Sequence, residues 1–233
     1  SMSKMLEKLG LKDGESIDHP WINKALERAQ QKVEARNFDI RKTLLKFDNV
    51  LSDQRQVIFS ERTNAMNNDE IFTYSNNFLS EIIESLKINK KEYLINPKSN
   101  EFRKKLISIF GKSFSDEEIK KLSETNDENF TLIINNKFED TRKERIKFLG
   151  KERAKEIEKR IFLQTIDLSW KSHIQYLEQL RQVIGLRSYG QRDPLIEYKK
   201  EAFSLFENLL DKLKTDLVKI LINLKVVQDF SEN

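Results

Sequence analysis

The 233-residue chain contains no cysteine, which excludes disulfide bonds and thiolate metal sites. Its two histidines, His19 and His173, are 154 positions apart, so the sequence predicts no metal site. Only six glycines and three prolines are present, whereas tight turns, β-hairpins and phosphate-binding loops all use glycine. Alternating runs of Val, Ile and Thr, which are typical of strands, are almost absent. The sequence therefore predicts an all-α fold.

Long hydrophobic runs are also missing. No apolar run reaches the roughly 18 residues of a membrane-spanning helix, and the first residues lack the apolar core of a signal peptide. We therefore expect a cytoplasmic protein. The 42 basic and 38 acidic side chains are interleaved along the chain, with a net charge of +4. This distribution is typical of solvated helix faces rather than of a dense nucleic-acid-binding patch.

The clearest pattern is one stripe that recurs every 3.6 residues, the period of a straight α-helix rather than the 3.5 of a supercoiled one. Its positions are Ile22, Leu26, Ala29, Val33, Arg36, Ile40, Leu44, Phe47, Leu51, Gln54 and Ile58. We predict one very long helix over residues 19–66, with Pro20 in its first turn, His19 or Asp18 as its cap and a length of about 70 Å. Arg36 and Gln54 interrupt the stripe, which suggests that the neighbours of this helix change along its length, although an arginine whose charged end reaches solvent is the commoner explanation.

Residues 67–140 have a different character. Asparagine pairs separate four shorter helical patterns, at roughly 70–88, 99–110, 115–123 and from 128 onward. Ser115, followed by acidic residues including Glu118, is a good helix start because its hydroxyl can cap the first turn. We predict a small, separate helical module with its own modest core, after a short helix and connector at residues 1–18.

Residues 141–233 predict an antiparallel pair of long helices. The first pattern ends near residue 185, residues 186–193 form a short loop, and the second helix runs from Pro194 to about 226 with Asp193 as its cap. The positions expected to face each other are Ile161, Ile166, Trp170, Ile174, Leu177, Leu180 and Ile184 on the first helix, and Phe203, Phe206, Leu210, Leu213, Leu217, Ile220 and Leu224 on the second.

One short segment looks like the end of a phosphate-binding loop, namely Gly111-Lys112-Ser113. The full motif needs a glycine five positions before Gly111, where this chain has Leu106, and no strand precedes it. Gly111 is better explained as the glycine that ends a helix.

A second group, at residues 167–173, contains the side-chain types of a catalytic triad. Asp167 lies about 240° around the helix from His173, so the two cannot converge with Ser169 or Ser172 on one reacting atom. A polar seam beside Trp170 is the expected outcome. No paired carboxylate lies on an apolar stripe where burial would raise its pKa, so we predict no catalytic residue.

The loop of the helical pair combines basic residues with an aromatic one. Residues 181–200 contain five basic and two acidic side chains, and the loop carries Tyr189. Such a tip can stack on a base, grip a peptide or contact an acidic partner. From composition alone, an ordinary loop whose tyrosine packs back on its own helices is the commoner outcome.

Several segments together resemble the SecA family of bacterial protein-export motors. Three resemble its long scaffold helix, namely His19-Pro20-Trp21, residues 35–42 (ARNFDIRK) and residues 48–55 (DNVLSDQR). Others resemble its two-helix finger, namely residues 163–167 (LQTID), Trp170-Lys171, His173, residues 186–194 (LRSYGQRDP), Glu197-Tyr198-Lys199, Phe203 and Phe206. Residues 9–18 (LGLKDGESID) resemble the end of its second nucleotide-binding fold.

The resemblance implies an organisation and a function. Residues 1–18 would end a preceding domain, 19–66 would be the scaffold helix, 67–140 the helical wing, and 141–233 the scaffold return and two-helix finger. The chain would brace the ATPase and preprotein-binding domains of its own parent, restrain ATP hydrolysis and insert the finger into the SecYEG channel. The residues implied are Tyr189, Arg187, Arg192, Ser188 and Gln191 for preprotein and channel contact, and Arg36, Arg41, Asp48, Gln54 and Arg55 for the interdomain scaffold.

The resemblance also implies what the chain lacks. Without a nucleotide-binding fold or the family's cysteine-rich zinc tail, it would hold no cofactor and would not be an enzyme by itself, since ATP and Mg²⁺ belong to the parent. Its location would be the cytoplasm and, peripherally, the cytoplasmic face of the inner membrane. Exposed apolar stripes make a homodimer one expected state.

Two other classes of function remain open. One is a structural helical scaffold in a coiled-coil assembly, which the 3.6-residue period argues against. The other is a helical nucleic-acid-binding domain that uses the basic tip, for which steep salt dependence of DNA or RNA binding would be the evidence.

Overall fold

The computed structural model describes residues 20–67, 70–95, 101–111, 113–190 and 192–225. These ranges contain seven α-helices, one short 3₁₀-helix and no strand, which confirms the all-α prediction. The α-helices are α1 (Pro20–Asn67), α2 (Ile71–Ile95), α3 (Glu101–Phe110), α4 (Asp116–Glu124), α5 (Asp127–Leu149), α6 (Lys151–Ile184) and α7 (Pro194–Asn223). The 3₁₀-helix, Gly185–Gly190, joins α6 to α7.

Helix α1 begins at Pro20, as predicted, because proline has no N–H to leave unpaired in a first turn. The chain divides into two compact units, residues 1–49 and 50–233, so the division falls within α1. In the first unit, no residue from 20 to 49 is buried, and Trp21 is 83% exposed. The predicted capping residues, Asp18 and His19, lie outside the described residues.

The second unit has one continuous apolar core, to which each of the seven described α-helices contributes residues, beginning with Ile58 of α1. Its largest fully buried side chains include Phe102, Phe110, Phe130, Phe138 and Phe162. The core therefore joins residues 67–140 to α6 and α7, and the prediction of a separate core for that segment is wrong. The predicted domain boundaries stay predictions.

Local capping chemistry sets several helix ends. The Ser115 hydroxyl accepts from the Glu118 N–H at 3.3 Å and the Glu118 carboxylate accepts from the Ser115 N–H at 2.7 Å, which confirms the predicted start of α4. Asp193 caps α7 by accepting from the N–H of Leu195 at 2.8 Å, again as predicted.

The long pattern expected from residue 141 to 185 is instead broken at Gly150. This residue has φ +81° and ψ 156°, a conformation that is open essentially to glycine alone. It ends α5, which began at Asp127, and lets α6 start in a new direction.

Helices α6 and α7 pack side by side along their length and run antiparallel, because the connection between them is short. Two positions predicted to face the partner helix, Phe203 and Ile220, are exposed, Phe203 by 62%. The inward face of α7 is Tyr198, Ala202, Phe206, Leu209, Leu213, Leu217 and Leu221. The small Ala202 faces inward in place of Phe203. The predicted loop after residue 185 is a 3₁₀-helix, and α7 ends at Asn223 rather than near residue 226.

Two glycines offer a matched test of these helix ends. A Cβ at Gly111 would lie 2.4 Å from the main-chain oxygen of Ile107, to which the Gly111 N–H already donates at 2.9 Å. Gly185 has helical angles and open space around a Cβ. We expect Gly111→Ala to lower the free energy of unfolding by more than about 1 kcal/mol and Gly185→Ala to raise it by up to about 1 kcal/mol. Urea denaturation measures both, and equal effects would contradict the structure.

Candidate functional site

The tip of the α6–α7 pair is held by ion pairs to α7. Arg187, on the 3₁₀-helix, lies 2.6 Å from the carboxylate of Glu201 and 3.4 Å from that of Glu197. Arg192 lies 3.3 Å from the same Glu197 carboxylate. Glu197 and Glu201 are one turn apart on α7, so Arg187 ties the tip to one face of that helix.

These pairs change the electrostatic character predicted for the tip. Residues 181–201 contain five basic and three acidic side chains, and both tip arginines are paired with acids of α7. The basic rim inferred from composition is therefore partly compensated. Arg187 and Arg192 hold the tip in place rather than present a free cationic surface.

The other predicted tip residues are only partly described. Ser188 and Tyr189 belong to the 3₁₀-helix, but their side chains lie outside the described part of the chain. Gln191 lies outside the described residues altogether. Their predicted roles stay predictions.

A buried polar junction joins α1 to both helices of the pair. The side-chain amide of Gln54 donates to the main-chain oxygen of Ala202 on α7 at 3.0 Å, and its oxygen lies 2.8 Å from Nε2 of His173 on α6. Gln54 is 7% exposed and His173 is 4% exposed. The His173 ring stacks on Trp170 at 5.5 Å between centroids and lies 5.6 Å from the ring of Phe206. The expected polar seam beside Trp170 is confirmed.

Burial lowers the pKa of His173 to about 4, because the charged imidazolium loses its hydration. The ring is therefore neutral at pH 7 and has one donor and one acceptor nitrogen. Since Gln54 uses its NH₂ group on Ala202, its oxygen must accept, so the Nε2 of His173 carries the proton and donates.

Two further polar links lie along the same side of α1. Arg62 pairs with Asp167, and Nζ of Lys159 donates to the main-chain oxygen of Met66 at 3.2 Å. The residue numbers of these contacts increase along α1 while they decrease along α6, from Gln54–His173 to Met66–Lys159. Residues 54–66 therefore run antiparallel to α6. Tyr74 on α2 donates to Glu61, and burial together with that carboxylate raises the pKa of Tyr74.

The predicted scaffold residues fall into two groups. Gln54 is buried in the junction just described, whereas Arg36, Arg41, Asp48 and Arg55 are exposed. The interruption of the apolar stripe at Gln54 coincides with this buried junction, whereas the predicted interdomain roles of all five residues stay predictions.

A buried ion cluster lies where α5, α6 and the end of α7 meet. Glu158, which is 2% exposed, lies 2.9 Å from Nη2 of Arg142 and 3.6 Å from Nη2 of Arg145. Arg142 also donates to the side-chain oxygen of Asn76 at 2.8 Å, and its guanidinium lies over the ring of Phe138. Burial lowers the pKa of Arg145.

The cluster fixes the C-terminal end of α7. Nη1 of Arg145 donates to the main-chain oxygen of Leu221 at 2.7 Å, and the Ser113 hydroxyl donates to that of Ile222 at 2.9 Å. The last carbonyls of a helix have no partner within it, so these bonds serve as its C-terminal cap. The side chain of Asn223 adds a bond to the Ile109 oxygen at 3.0 Å.

The sequence analysis missed this cluster, because only paired carboxylates were considered as candidates for burial on an apolar stripe. Glu158 stands four residues from Ala154 and four from Phe162, both buried, so it lies on the inward stripe of α6. Arg142 likewise follows Phe138 by four residues on α5. The spacing alone could have identified both.

The rejected enzyme sites find no support in the described residues. Asp167 pairs with Arg62 and His173 with Gln54, so no triad assembles, and Gly111 ends α3 as predicted. No three His, Cys, Asp or Glu side chains in these ranges are grouped to hold a metal ion. None of the described helices combines the length and hydropathy needed to cross a bilayer.

Sequence comparison with known proteins assigns the chain to a family. The family model of the SecA wing and scaffold domain matches residues 16–225. The chain belongs to the SecA family. The protein translocase subunit SecA of Pelagibacter ubique (strain HTCC1062) is 69% identical over 233 residues, which are 100% of this chain and 27% of that relative.

Other SecA relatives match almost as completely. Protein translocase subunit SecA 1 of Rhodopseudomonas palustris (strain BisA53) is 43% identical over 97% of this chain and 24% of its own length. Protein translocase subunit SecA of Afipia carboxidovorans is 42% identical over 96% of this chain and 24% of its own length. The chain thus spans about a quarter of the length of these SecA proteins.

The ion cluster of this SecA-family chain generates a stability prediction. Glu158→Leu would leave Arg142 and Arg145 buried without their shared carboxylate, and we expect it to lower the free energy of unfolding by about 3–5 kcal/mol. Glu156→Leu, an exposed substitution two residues away on α6, should change it by less than about 0.5 kcal/mol. Urea denaturation compares the two. A loss at Glu158 no larger than that at Glu156 would contradict the cluster.

Proposed function

We propose that the chain is the scaffold, wing and finger portion of an ATP-driven motor of the bacterial general protein-secretion pathway. In this proposal it braces the ATPase and preprotein-binding domains of its parent, restrains ATP hydrolysis, and inserts the α6–α7 pair into the SecYEG channel. Family membership and relatives named protein translocase subunit support the general role.

The observation that carries the finger role is the fixed tip. Arg187 ties the 3₁₀-helix to Glu197 and Glu201, and Arg192, which follows the 3₁₀-helix, pairs with the same Glu197, so the short connection is supported at the end of two packed helices. Tyr189 belongs to this held segment. A tip that acts on a moving polypeptide needs such support, because a loose loop would yield under load.

The proposal assigns different roles to the tip residues. Tyr189 would contact the translocating preprotein, since an aromatic side chain offers a large contact area to any sequence. Ser188 and Gln191 would contribute to the same surface. Arg187 and Arg192 would position the tip, because their guanidinium groups pair with acids of α7.

The exposed face of α1 supports the bracing role. Residues 20–49 contain no buried side chain, yet they present Trp21, Leu26, Val33, Phe38 and Leu45 to solvent. Apolar groups in such number mark a surface that other domains cover. Arg36, Arg41, Asp48 and Arg55 would contact the same domains of the parent.

The remaining parts of the proposal concern cofactors and location. ATP and Mg²⁺ would bind the parent's nucleotide-binding folds, so this chain would be no enzyme by itself and would hold no cofactor. It would act in the cytoplasm and at the cytoplasmic face of the inner membrane, without binding nucleic acid. The partly compensated charge of the tip supports that last point.

Site-specific cross-linking tests the proposal. Tyr189→Cys would be introduced into the parent motor with other cysteines replaced, and a preprotein carrying one cysteine would be stalled within reconstituted SecYEG channels. We expect disulfide capture at position 189 that depends on both ATP and the channel. The matched control is Tyr176→Cys, an exposed tyrosine on α6 well away from the tip, which should capture far less.

The opposite pattern would overturn the finger role. If position 189 stays unreactive while positions on α1 capture the preprotein, the α6–α7 pair would not contact the substrate.

A further inference from the structure

The geometry points to Gln54 as the residue that fixes the axial position of both helices of the α6–α7 pair on α1. One buried amide bridges three helices, since it donates to the Ala202 oxygen on α7 and accepts from His173 on α6. This inference goes beyond the proposed function and does not depend on it.

The two hydrogen bonds restrict how far α6 and α7 can slide along α1. Their lengths are 3.0 Å and 2.8 Å, and hydrogen bonds weaken steeply beyond about 3.5 Å. A slide of either helix by one residue moves its atoms by about 1.5 Å. Such a slide lengthens and misaligns the bond on that helix, and a larger one leaves a polar group buried without a partner.

The apolar contacts around the junction have no comparable selectivity. Ile58 of α1 packs into the core through contacts that depend on area rather than direction. Similar apolar contacts would survive a small shift of α6 or α7. A buried polar residue within an apolar interface is known to select one register over its neighbours, at a cost in stability.

Ala202 explains why the bridge can form at this level. Its methyl side chain is fully buried, so nothing larger separates α7 from α1 at this point. The Gln54 amide therefore reaches the main chain of α7 directly. A main-chain oxygen cannot swing away as a side chain can, so it marks a fixed height on the helix.

His173 provides the second fixed contact of Gln54, on α6. Its ring is confined by Trp170 on one side and Phe206 on another, so its Nε2 points in a set direction.

The charged groups that line the cleft beside the His173 ring, Lys212 and Asp216, come from α7. Gln54 itself is uncharged, and its charged neighbours on α1, Asp53 and Arg55, are exposed.

Distance measurements test the inference in this chain, which has no cysteine of its own. Ser60→Cys on α1 and Ser204→Cys on α7, both at exposed positions, would carry spin labels. Pulsed electron–electron double resonance then measures the distance between the two labels. We expect one narrow distance distribution. Gln54→Met, which keeps the length of the side chain but removes both bonds, should shift or split that distribution by at least about 1.5 Å.

The matched control is Gln56→Met, the same chemical change at an exposed position two residues along α1. It should leave the distribution unchanged. An unchanged distribution in Gln54→Met would overturn the inference.

A second variant distinguishes the contributions of the two bonds, and it tests the inference even if Gln54→Met does not fold. Gln54→Glu can still accept from His173 but cannot donate to Ala202, and its carboxylate should raise the titration midpoint of His173 by about 1–3 pH units. Nitrogen NMR of the imidazole ring measures this midpoint. The chain has only one other histidine, His19, so two sets of imidazole signals are expected. The same measurement also reports the tautomer of the unsubstituted chain, which we expect to be protonated at Nε2. Protonation at Nδ1, or a midpoint unaffected by Gln54→Glu, would contradict the bridge.

Discussion

The packing of α7 against α6 is the constraint on which the rest of residues 50–225 depends. Helix α7 is also held near both of its ends by polar contacts. Near its N-terminus, Arg187 pairs with Glu197 and Glu201, and Gln54 donates to the main-chain oxygen of the adjacent Ala202; near its C-terminus, Arg145 donates to the main-chain oxygen of Leu221. Between these contacts, apolar side chains on one face of α7 fill the core.

Two of these contacts use main-chain oxygens of α7, and this choice has a physical consequence. Side chains can change rotamer to follow a neighbour, whereas a helical carbonyl moves only when the helix moves. Bonds to Ala202 and Leu221 therefore report and restrict the position of the whole helix. Buried polar contacts contribute less to net stability than equivalent apolar packing, but they discriminate strongly between alternative arrangements. A helical pair that must present its tip at a defined place benefits from that discrimination.

The sequence predicts well where the cause is local. Pro20, Ser115 and Asp193 act through their own first turns, so their roles as helix starts could be read from neighbouring residues. Prediction failed where the cause is tertiary. Ala202 and Phe203 both fit the helical spacing of the apolar stripe, and only the tertiary structure shows that Ala202 faces inward.

The candidate site shows the same division. The aromatic and basic residues of the tip were predicted from composition, but their charge compensation needed Glu201, just beyond the segment that was counted. Glu158 was missed even though its spacing from Ala154 and Phe162 places it inward, because only paired carboxylates were considered as candidates for burial. Its buried position is stable only with Arg142 and Arg145, which come from another helix.

Native-state hydrogen exchange tests whether residues 54–66 of α1 and the α6–α7 pair form one cooperative unit. We expect amides around Gln54 and Ile58 to exchange through the same opening as those around His173 and Phe206, with closely similar protection that falls together in denaturant. The contradictory result is an α1 segment that exchanges much faster than α6 and α7, or with its own denaturant dependence. In that case the polar junction would not join α1 to the pair.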